Sequence, residues 1–495
     1  MAETTTPGNP AVDVKNREEG KKLINLLRGW PSPRLLPIVQ LRAAANRALS
    51  DPAISIPALQ YAPDPGYQPL REELARWLTR QYQSSRDISA DEIAITGGAS
   101  QSIACILQSF TDPAYTRAVW AVAPCYYLAC PIFEDAGFAG RLRAVPEDEG
   151  GIDLGALERG LREVEEANKG KEDQPLFKSP SPHRKLYRYI IYLVATSANP
   201  SGKTLSLPRR RRLVHLAREY NALIISDDVY DLLQWPTSVS HSHSPSSPPT
   251  PLVPLPLLSQ IDLALPPSAH NPPGPRHFSH AVSNSSFSKL VGPGTRTGWI
   301  HASPAFVHGF SQTGTNRSGG AASQLAAAMV HQLMAAGELD AHLTRTVRPA
   351  LQRRHALVVE AVGRELGPLG VRVWAGNGAA GAGTAATTAA AAAAASAAAT
   401  AAPSGADGTD GVFGGYFVWL TLPEGMPDAR EIAERAEQEE NLIVAPGRLF
   451  EVLGDEETAR FPRNIRLCFS WEEEEDVVEG VRRLGRVLRR MCDQP

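Results

Sequence analysis

A lysine at position 289 lies in a short run of small and polar residues, Ser286-Phe287-Ser288-Lys289, and Arg296 follows seven residues later. A lysine amine forms a Schiff base with an aldehyde, and hydroxyl groups together with a guanidinium bind a phosphate. These residue types at this spacing indicate a site for a small molecule that carries both groups. Ser-x-Ser-Lys strings also occur by chance, so the interpretation depends on the other candidate residues.

A second candidate is an acid at the end of a predicted buried strand. The apolar residues 223–225 are followed by Ser226 and Asp227, and the carboxyl end of a parallel strand is where α/β folds bind ligands. A carboxylate at that place keeps a pyridine nitrogen protonated, which makes the ring an electron sink. Asp228 is the competing carboxylate, and Tyr230 follows three residues after Asp227.

Two polar residues follow or lie within other predicted strands. Asn199 begins an Asn-Pro-Ser-Gly turn after the apolar run 192–195, and an ordinary turn is the alternative interpretation. Arg466 alternates with apolar residues in the strand-like segment 464–470. A lone strand arginine is commonly solvated or ion-paired, but its planar guanidinium also binds a carboxylate bidentately.

A glycine turn, Gly97-Gly98, separates the strand-like residues 93–95 from a helical pattern. The free backbone N–H groups of Ala99 and Ser100 at such a helix start would bind a phosphate, although a plain tight turn is also compatible with the pattern. After the predicted strand 118–122 comes Pro124-Cys125-Tyr126-Tyr127, which brings two aromatic rings to the same strand end.

In this order the motifs resemble those of the class I and II aminotransferases, which are fold type I enzymes dependent on pyridoxal 5'-phosphate (PLP). The resemblance extends over nearly the whole chain. Gly29 matches the Gly-x-Pro loop of the substrate pocket, Tyr61 begins a Tyr-x4-Gly-x3-Leu-Arg segment, and residues 414–420 match a strand of the small domain. The Tyr61 segment and the string Ser286-Phe287-Ser288-Lys289 most resemble the 2-aminoadipate and aromatic aminotransferase branch.

The resemblance implies a role for each candidate. Lys289 is the catalytic residue that carries PLP, Asp227 contacts its ring nitrogen, and Tyr126 stacks on the ring, with Tyr127 as the alternative in another register. The residues assigned to cofactor binding are Ala99, Ser100, Tyr126, Asn199, Asp227, Tyr230, Ser286, Lys289, Arg296 and Tyr61. Those assigned to the substrate are Gly29, Asn199 and Arg466. Tyr61 is expected to reach the cofactor of a neighbouring subunit in a homodimer, unless it merely packs against Pro63 and Pro65.

The implied activity is transfer of an amino group between an L-amino acid and a 2-oxo acid, with 2-aminoadipate, aromatic or related donors. A PLP-dependent carbon–sulfur β-lyase would use the same residues, since both reactions begin with deprotonation of Cα. A non-enzymatic PLP-sensing regulator is the alternative of another class. It would need a DNA-binding module, which the roughly twenty polar residues before Leu23 are too few to form.

Composition sets limits on partners and compartment. A net charge of −3 gives no electrostatic attraction to nucleic acid or membrane, and no apolar run approaches a membrane span. Five cysteines without a Cys-x-x-Cys pair indicate reduced thiols in a cytoplasmic protein. No metal site is expected, because His241 and His243 lie in a Ser/Pro-rich segment, and the Gly-x-Gly-x-x-Gly string at Gly376 lacks the βαβ context of a dinucleotide site.

The expected fold is α/β. A large PLP-binding domain, residues 51–302, would contain a mostly parallel sheet covered by helices, as in aspartate aminotransferase, and residues 303–495 would form a smaller α+β domain. Residues 1–20 are expected to be a disordered tail and 21–50 an N-terminal arm that joins the small domain or the dimer interface. The insertions 168–188, 236–280 and 376–411 lack apolar periodicity and are expected to be mobile surface loops.

Overall fold

The structure is a computed structural model that describes residues 20–170, 175–179, 182–237, 252–272, 276–317, 320, 322–374 and 411–492. The expectations for the N-terminal tail, for His241 and His243, and for the glycine string at Gly376 lie outside the described residues. The same holds for the alanine-rich insertion 376–411 except for Gly411.

The described elements alternate between strands and helices through the first two thirds of the chain. The strands are β1 Ile24–Asn25, β2 Ile93–Thr96, β3 Ala118–Ala123, β4 Leu142–Asp148, β5 Gly151–Ile152, β6 Tyr189–Leu193, β7 Ala222–Asp227, β8 Gln234–Pro236, β9 Ala281–Ser286, β10 Gly298–His301, β11 Arg372–Trp374, β12 Val412–Gly414, β13 Phe417–Thr421, β14 Leu442–Ile443, β15 Ala445–Pro446 and β16 Asn464–Cys468. The helices are α1 Ile38–Ser50, α2 Pro52–Ala58, α3 Gln68–Gln81, α4 Ala99–Phe110, α5 Cys130–Phe133, α6 Leu154–Ala167, α7 Leu207–Glu219, α8 Leu258–Leu263, α9 Pro304–Ser311, α10 Gln324–Ala335, α11 Glu338–His342, α12 Arg348–Glu365, α13 Ala429–Glu440 and α14 Glu474–Cys492.

The main sheet has eight strands in the order β2-β10-β9-β7-β6-β3-β4-β5. Strands β9, β7, β6, β3 and β4 run parallel to one another, β10 runs antiparallel between β2 and β9, and β5 is antiparallel to β4. Every residue of β3, β6 and β7 is buried, as a parallel sheet covered on both faces requires. The predicted α/β fold with a mostly parallel sheet is confirmed.

This topology places the candidate motifs at one edge of the sheet. The carboxyl ends of parallel strands lie on the same side, and β2 shares that direction because two antiparallel steps through β10 connect it to β9. The segments that follow β2, β3, β6 and β9 carry the glycine turn, the two tyrosines, the Asn-Pro turn and the lysine, respectively, and the acid is the last residue of β7. Sequence motifs far apart in the chain therefore meet in one region.

The C-terminal part of the chain contains a second, four-stranded antiparallel sheet in the order β11-β13-β16-β15. Helices α12 and α14 pack against each other beside it. The N-terminal arm joins this part, since β1 pairs with β14 in parallel register. Arg466 on β16 is thereby brought to the strand ends of the main sheet.

Two of the insertions contain packed residues, which the expectation of surface loops did not include. In the first insertion Tyr187 is fully buried, and the amine of Lys185 lies 2.9 Å from Nε2 of His280. In the second, helix α8 buries Asp262, which pairs with Arg218 at 2.7 Å. The expectation is wrong for these residues, because their order comes from buried polar partners elsewhere in the chain rather than from an apolar period within the segment.

Candidate active site

Lys289 lies three residues beyond the end of β9, and its amine faces the N-terminal arm. Nζ donates a hydrogen bond to the backbone oxygen of Gly29 at 2.7 Å. Burial lowers the pKa of Lys289 to about 8. Cys468 and Asp227 oppose this shift, whereas the positive charge of Arg466 adds to it. A lysine with such a pKa has a substantial neutral fraction near neutral pH, as a nucleophile or general base requires.

Asp227 ends β7 and is buried, with an exposed fraction of 5%. One carboxylate oxygen accepts a hydrogen bond from the hydroxyl of Tyr192 at 3.0 Å, and the other lies 3.4 Å from the side-chain nitrogen of Asn284. Burial raises the pKa of Asp227 to about 6, although the Tyr192 hydrogen bond and the charge of Lys289 act in the opposite direction. A cationic partner would return this carboxyl group to its ionised form.

The neighbouring Asp228 has different surroundings. Its Oδ1 accepts a hydrogen bond from the hydroxyl of Ser226 at 2.5 Å, and its Oδ2 has no hydrogen-bond partner in the described part of the chain. Burial, with the charge of Asp231 as the second cause, raises the pKa of Asp228 well above its usual range. The geometry favours Asp227 over Asp228 as the carboxylate that faces Lys289.

Arg466 connects the two sheets at this place. Its Nη1 donates to Oδ1 of Asn199 at 2.8 Å, and its Nη2 donates to the backbone oxygen of Leu27. The guanidinium carbon lies 4.1 Å from the ring centroid of Phe417 and 4.8 Å from that of Phe450. The Nε atom is buried without a partner among the described residues, so the guanidinium retains a donor for a carboxylate.

Three tyrosines predicted or considered for the site lie around these groups. Burial raises the pKa of Tyr126 to about 12, and the negative charge of Asp227 adds to this shift. Tyr127 packs edge-on against Phe450 at 5.7 Å. Tyr230 is buried, and its ring packs against that of Phe417 at 6.1 Å. The arrangement favours Tyr126 over Tyr127 as the ring next to Asp227.

The predicted phosphate end forms around the start of α4. Gly98 precedes this helix with φ of 109°, and a Cβ atom at this position would lie 2.7 Å from Nη2 of Arg296. That same nitrogen donates to the backbone oxygen of Gly97 at 2.7 Å. Ser100 is exposed at the helix start. Backbone N–H groups and a guanidinium therefore lie together, as anion binding at a helix N-terminus requires.

The other two predicted residues differ in their exposure. Ser286, the last residue of β9, is buried, and its hydroxyl lies 2.9 Å from that of Ser288 on the loop that leads to Lys289. Tyr61 has an exposed fraction of 84%, which does not support packing of its ring against Pro63 and Pro65. Within one chain the structure does not bury Tyr61 in the site.

Sequence reasoning missed the two residues that orient Asp227. Tyr192 lies inside the apolar run of β6, and Asn284 pairs with Asp227 in the register of β7 and β9. A polar side chain in a buried strand needs a hydrogen-bond partner, so a hydroxyl in an apolar strand and an amide in a strand of serines are signals of a nearby partner. They are weak signals, because neither says which residue that partner is. Identifying the partner requires the strand order, which one sequence does not supply.

The residues brought together fit PLP, the cofactor that the motifs predict. A buried carboxylate with two hydrogen-bond donors suits a ring nitrogen cation, and the lack of space for a Cβ at Gly98 suits close approach of a phosphate to the backbone. Among the described residues there is no cluster of three or more side chains suited to a metal ion. None of the described helices has both the length and the apolarity to cross a membrane.

Comparisons with known proteins agree with this geometry. Residues 32–484 match the family model described as aminotransferase class I and II. An uncharacterised protein of Saccharomyces cerevisiae, YER152C, is 32% identical over 94% of this chain and 97% of its own length. Aromatic-amino-acid aminotransferase 1 of Thermococcus litoralis is 26% identical over 95% of this chain and 89% of its own length.

A solved structure extends the similarity to three dimensions. The α-aminoadipate aminotransferase LysN of Thermus thermophilus, crystallised with N-(5'-phosphopyridoxyl)-L-leucine, superimposes with a TM-score of 0.66 at 26% identity, over 95% of this chain and 93% of that one. The match of the family model spans both sheets and all the residues assigned to the site except Gly29. The chain therefore belongs to the class I and II aminotransferase family, and it is a PLP-dependent aminotransferase.

Proposed function

We propose that Lys289, Asp227, Asn199 and Arg466 form the site of transamination. The observation that supports this most directly is the link through the N-terminal arm. The amine of Lys289 donates to the backbone oxygen of Gly29, and two residues earlier the backbone oxygen of Leu27 accepts from Arg466. The proton-transferring amine and the carboxylate-binding guanidinium are thus held by one short backbone segment.

When bound, PLP supplies an aldehyde for the substrate amine and a ring that withdraws electrons from Cα. Asp227 would favour a protonated ring nitrogen through its negative charge. Asn199 and Tyr230 would donate to the phenolic oxygen, and Tyr126 would cover the ring face. The groups proposed to bind the phosphate are the backbone of Ala99 and Ser100 together with Ser286 and Arg296.

Lys289 is proposed to bind the cofactor and then to transfer the proton. Once a substrate amine has taken its place, the free amine of Lys289 would accept the proton from Cα of the substrate and would then release it to the cofactor side of the substrate nitrogen. A pKa of about 8 suits both directions, because neither protonation state dominates strongly near that pH. A second 2-oxo acid reverses the sequence, so ping-pong kinetics are expected.

Arg466 is proposed to bind the substrate α-carboxylate, with its Nε atom free and Nη1 already oriented by Asn199. The guanidinium lies between the aromatic rings of Phe417 and Phe450, which limit its rotation and exclude water. A guanidinium fixed in this way gives the carboxylate one orientation, which directs the substrate amine towards Lys289.

We propose aromatic amino acids and 2-aminoadipate as the donor group. The support is twofold. The walls around Arg466 carry Phe417 and Phe450, with Tyr127 packed edge-on against Phe450, and the similar proteins of Thermococcus litoralis and Thermus thermophilus are an aromatic-amino-acid and an α-aminoadipate aminotransferase. Aromatic surfaces favour flat apolar side chains over small polar ones, which supports aromatic donors. The side chain of 2-aminoadipate ends in a charged carboxylate, so the support for that donor is the similarity to the α-aminoadipate aminotransferase alone.

We also propose that the active unit is a homodimer in which Tyr61 reaches the phosphate held by the other subunit. Tyr61 is 84% exposed, and nearby apolar side chains are exposed as well, with fractions of 72% for Val39, 61% for Ile56 and 65% for Leu59. A second copy that covers this face would bury them and bring the Tyr61 hydroxyl to its site. The cytoplasm is the proposed compartment, which the free cysteines support.

The test of the activity is a donor screen on purified protein with PLP, which follows loss of the visible absorbance of the lysine-bound cofactor. Aromatic amino acids and 2-aminoadipate are expected to convert the cofactor to pyridoxamine phosphate, and Lys289→Ala should lose the absorbance and nearly all turnover, by roughly 10²–10⁴-fold for loss of the general base alone. Release of pyruvate and ammonia without pyridoxamine phosphate would instead identify a lyase.

Subunit complementation tests the dimer. Inactive Tyr61→Ala and inactive Lys289→Ala proteins are mixed and allowed to exchange subunits. If Tyr61 acts on the partner's site, one of the two sites of the mixed dimer contains both intact residues and activity returns. Absence of recovered activity in a verified mixed dimer would contradict the proposal.

A further inference from the structure

Tyr416, at the start of the segment that leads into β13, contacts Lys289 in two ways. Its hydroxyl donates to the backbone oxygen of Lys289 at 3.3 Å, and the face of its ring lies 5.3 Å from Nζ of the same lysine. One side chain from the C-terminal part therefore reaches both the main chain and the amine of the candidate catalytic residue. In the sequence Tyr416 is only one residue of a strand-like segment.

We propose that Tyr416 is a positioning residue for Lys289, whose hydroxyl holds the lysine main chain and whose ring favours the charged form of the lysine amine. This inference rests on the proposed role of Lys289 in transamination. It gives the small sheet a part in proton transfer besides the binding of the substrate carboxylate by Arg466.

The position of Tyr416 is set by its own close packing. Gly415, with φ of 76°, donates its backbone N–H to the oxygen of Leu233 at 3.0 Å, and a Cβ there would lie 3.1 Å from Cβ of Ser197. The backbone oxygen of Tyr416 accepts from Phe469 N at 3.0 Å, and its exposed fraction is 1%. The side chain thus approaches Lys289 from a rigid backbone, so it orients the lysine rather than following it.

The charges around the Lys289 amine show why a ring face matters there. The positive charge of Arg466 lowers the pKa of the Lys289 amine, whereas Cys468 and Asp227 raise it. The negative face of the Tyr416 ring is a neutral group that stabilises an ammonium without forming an ion pair. Loss of the ring would leave the repulsion from Arg466 less balanced, and the amine would lose its proton at lower pH.

The experiment measures the protonation of Lys289 directly in the full-length chain without cofactor, where its amine is free. Brief pulses of an acylating reagent at a series of pH values, followed by mass spectrometry, give the pKa of each reactive lysine. The variants are Tyr416→Phe, which removes only the hydroxyl, and Tyr416→Leu, which removes the ring and keeps apolar volume. Tyr416→Met replaces the leucine variant if that protein does not fold.

The chain offers a matched control in Tyr187. This tyrosine also donates its hydroxyl to a backbone oxygen, that of Ser279, and its ring centroid lies 4.5 Å from Nζ of Lys185. Ser279 precedes β9, at the end of that strand opposite to Lys289. Tyr187→Leu removes the same ring contact from another lysine, whereas Tyr187→Phe removes a hydroxyl bond to a backbone oxygen that belongs to Ser279 and not to a lysine. The same digests report on both lysines.

Tyr416→Leu is expected to lower the pKa of Lys289 by about half a unit to one unit. Tyr187→Leu is expected to leave that pKa unchanged. Tyr416→Phe should keep the pKa and, in the protein with PLP, lower kcat about fivefold at constant KM. An unchanged or raised pKa in Tyr416→Leu would overturn the role of the ring. An unchanged kcat in Tyr416→Phe would overturn that of the hydroxyl.

Failure of this inference and failure of the proposed function give different results. Labelling of Lys289 needs no turnover, so the effect of the ring on the amine is measured whether or not a donor is found. Absence of transamination by the unchanged protein would contradict the proposed function, whereas identical labelling profiles for native and Tyr416→Leu proteins would contradict only the inference about Tyr416.

Discussion

Replacement of Asp227 by asparagine is expected to change catalysis and stability in opposite directions. Asparagine has nearly the same shape, and its side-chain oxygen still accepts the hydrogen bond that Tyr192 donates at 3.0 Å. The variant therefore removes the negative charge with little change in packing. In the protein with PLP this charge is proposed to face the ring nitrogen, and truncating one member of a buried charge pair costs about 2–5 kcal/mol. The proton-transfer half-reaction should slow by about 30- to 5,000-fold.

The cofactor-free protein should respond in the opposite sense. Burial raises the pKa of Asp227 from 3.8 to about 6, so the folded state holds its proton more tightly than the unfolded state does. The ionised form then costs stability, a cost that grows between about pH 4 and pH 6 and is complete above pH 6. A shift of about two units corresponds to at most about 3 kcal/mol. Asp227→Asn should therefore raise the melting temperature at pH 7 and leave it unchanged below pH 4.

Two measurements on the same preparations test these expectations. Single-turnover mixing with an aromatic donor gives the half-reaction rate, and thermal unfolding of the cofactor-free protein from pH 3.5 to 8 gives the stability. Asp228→Asn is the control, because Asp228 bonds to Ser226 and should change the rate by less than about threefold. A larger rate loss in Asp228→Asn than in Asp227→Asn would show that the register is wrong by one residue. A destabilised Asp227→Asn protein at pH 7 would refute the assigned cause of the pKa shift.

Three further predictions concern other parts of the chain. Gly98→Ala should weaken PLP binding by about 1–3 kcal/mol in a titration, since φ of 109° disfavours any side chain and Cβ would meet Arg296; unchanged affinity would contradict a close backbone approach. The neighbouring arginines lower the pKa of Glu440 from 4.5 to about 2 in the folded chain, although burial acts in the opposite direction. Ionised Glu440 therefore stabilises the folded state above pH 4.5, and this contribution is lost as the pH falls towards 2. Glu440→Gln should then cost about 1–2 kcal/mol in urea unfolding at pH 7 and nothing near pH 2, and an equal loss at both values would exclude the charge as the cause. Replacing residues 252–272 by a Gly/Ser linker should lower the melting temperature strongly, because it leaves Arg218 without the buried Asp262, and an unchanged melting temperature would show that α8 contributes no stability.

The strand ends of the main sheet were predictable because each combines two strong local signals. Residues 223–227 contain a β-branched apolar run that ends in an acid, and residues 93–98 contain one that ends in two glycines. Strand β7 indeed ends at Asp227, and β2 ends at Thr96, just before the glycine turn. The type and direction of these elements follow from local chemistry, and the meeting of their ends follows from the parallel arrangement.

The packing of the insertions was not predictable in the same way. Helix α8 has only six residues, and its fully buried side chains include Ser259 and Asp262 as well as Leu258. Ser259 bonds to Nδ1 of His301 at 2.7 Å, and Asp262 accepts from His280 N at 2.6 Å. A helix held by polar contacts shows no apolar stripe, so the sequence resembles a loop even though the side chains are buried.

Strand β9 carries polar residues at buried positions, and this departure from an apolar strand pattern indicates function. All six of its residues are buried although four of them are polar, which is unfavourable unless each finds a partner. Asn284 meets this requirement through the site itself. Its amide nitrogen lies 3.1 Å from the backbone oxygen of Ala99 and 3.4 Å from Oδ1 of Asp227, and its oxygen accepts from the hydroxyl of Ser102. One amide thereby connects the start of α4, the helix proposed to bind the phosphate, to the carboxylate proposed for the ring nitrogen. An apolar residue at this position would suit the strand better but would leave the two ends of the cofactor site unconnected. The polar strand therefore reflects the need to hold these two ends at a fixed separation, immediately before the chain reaches Lys289.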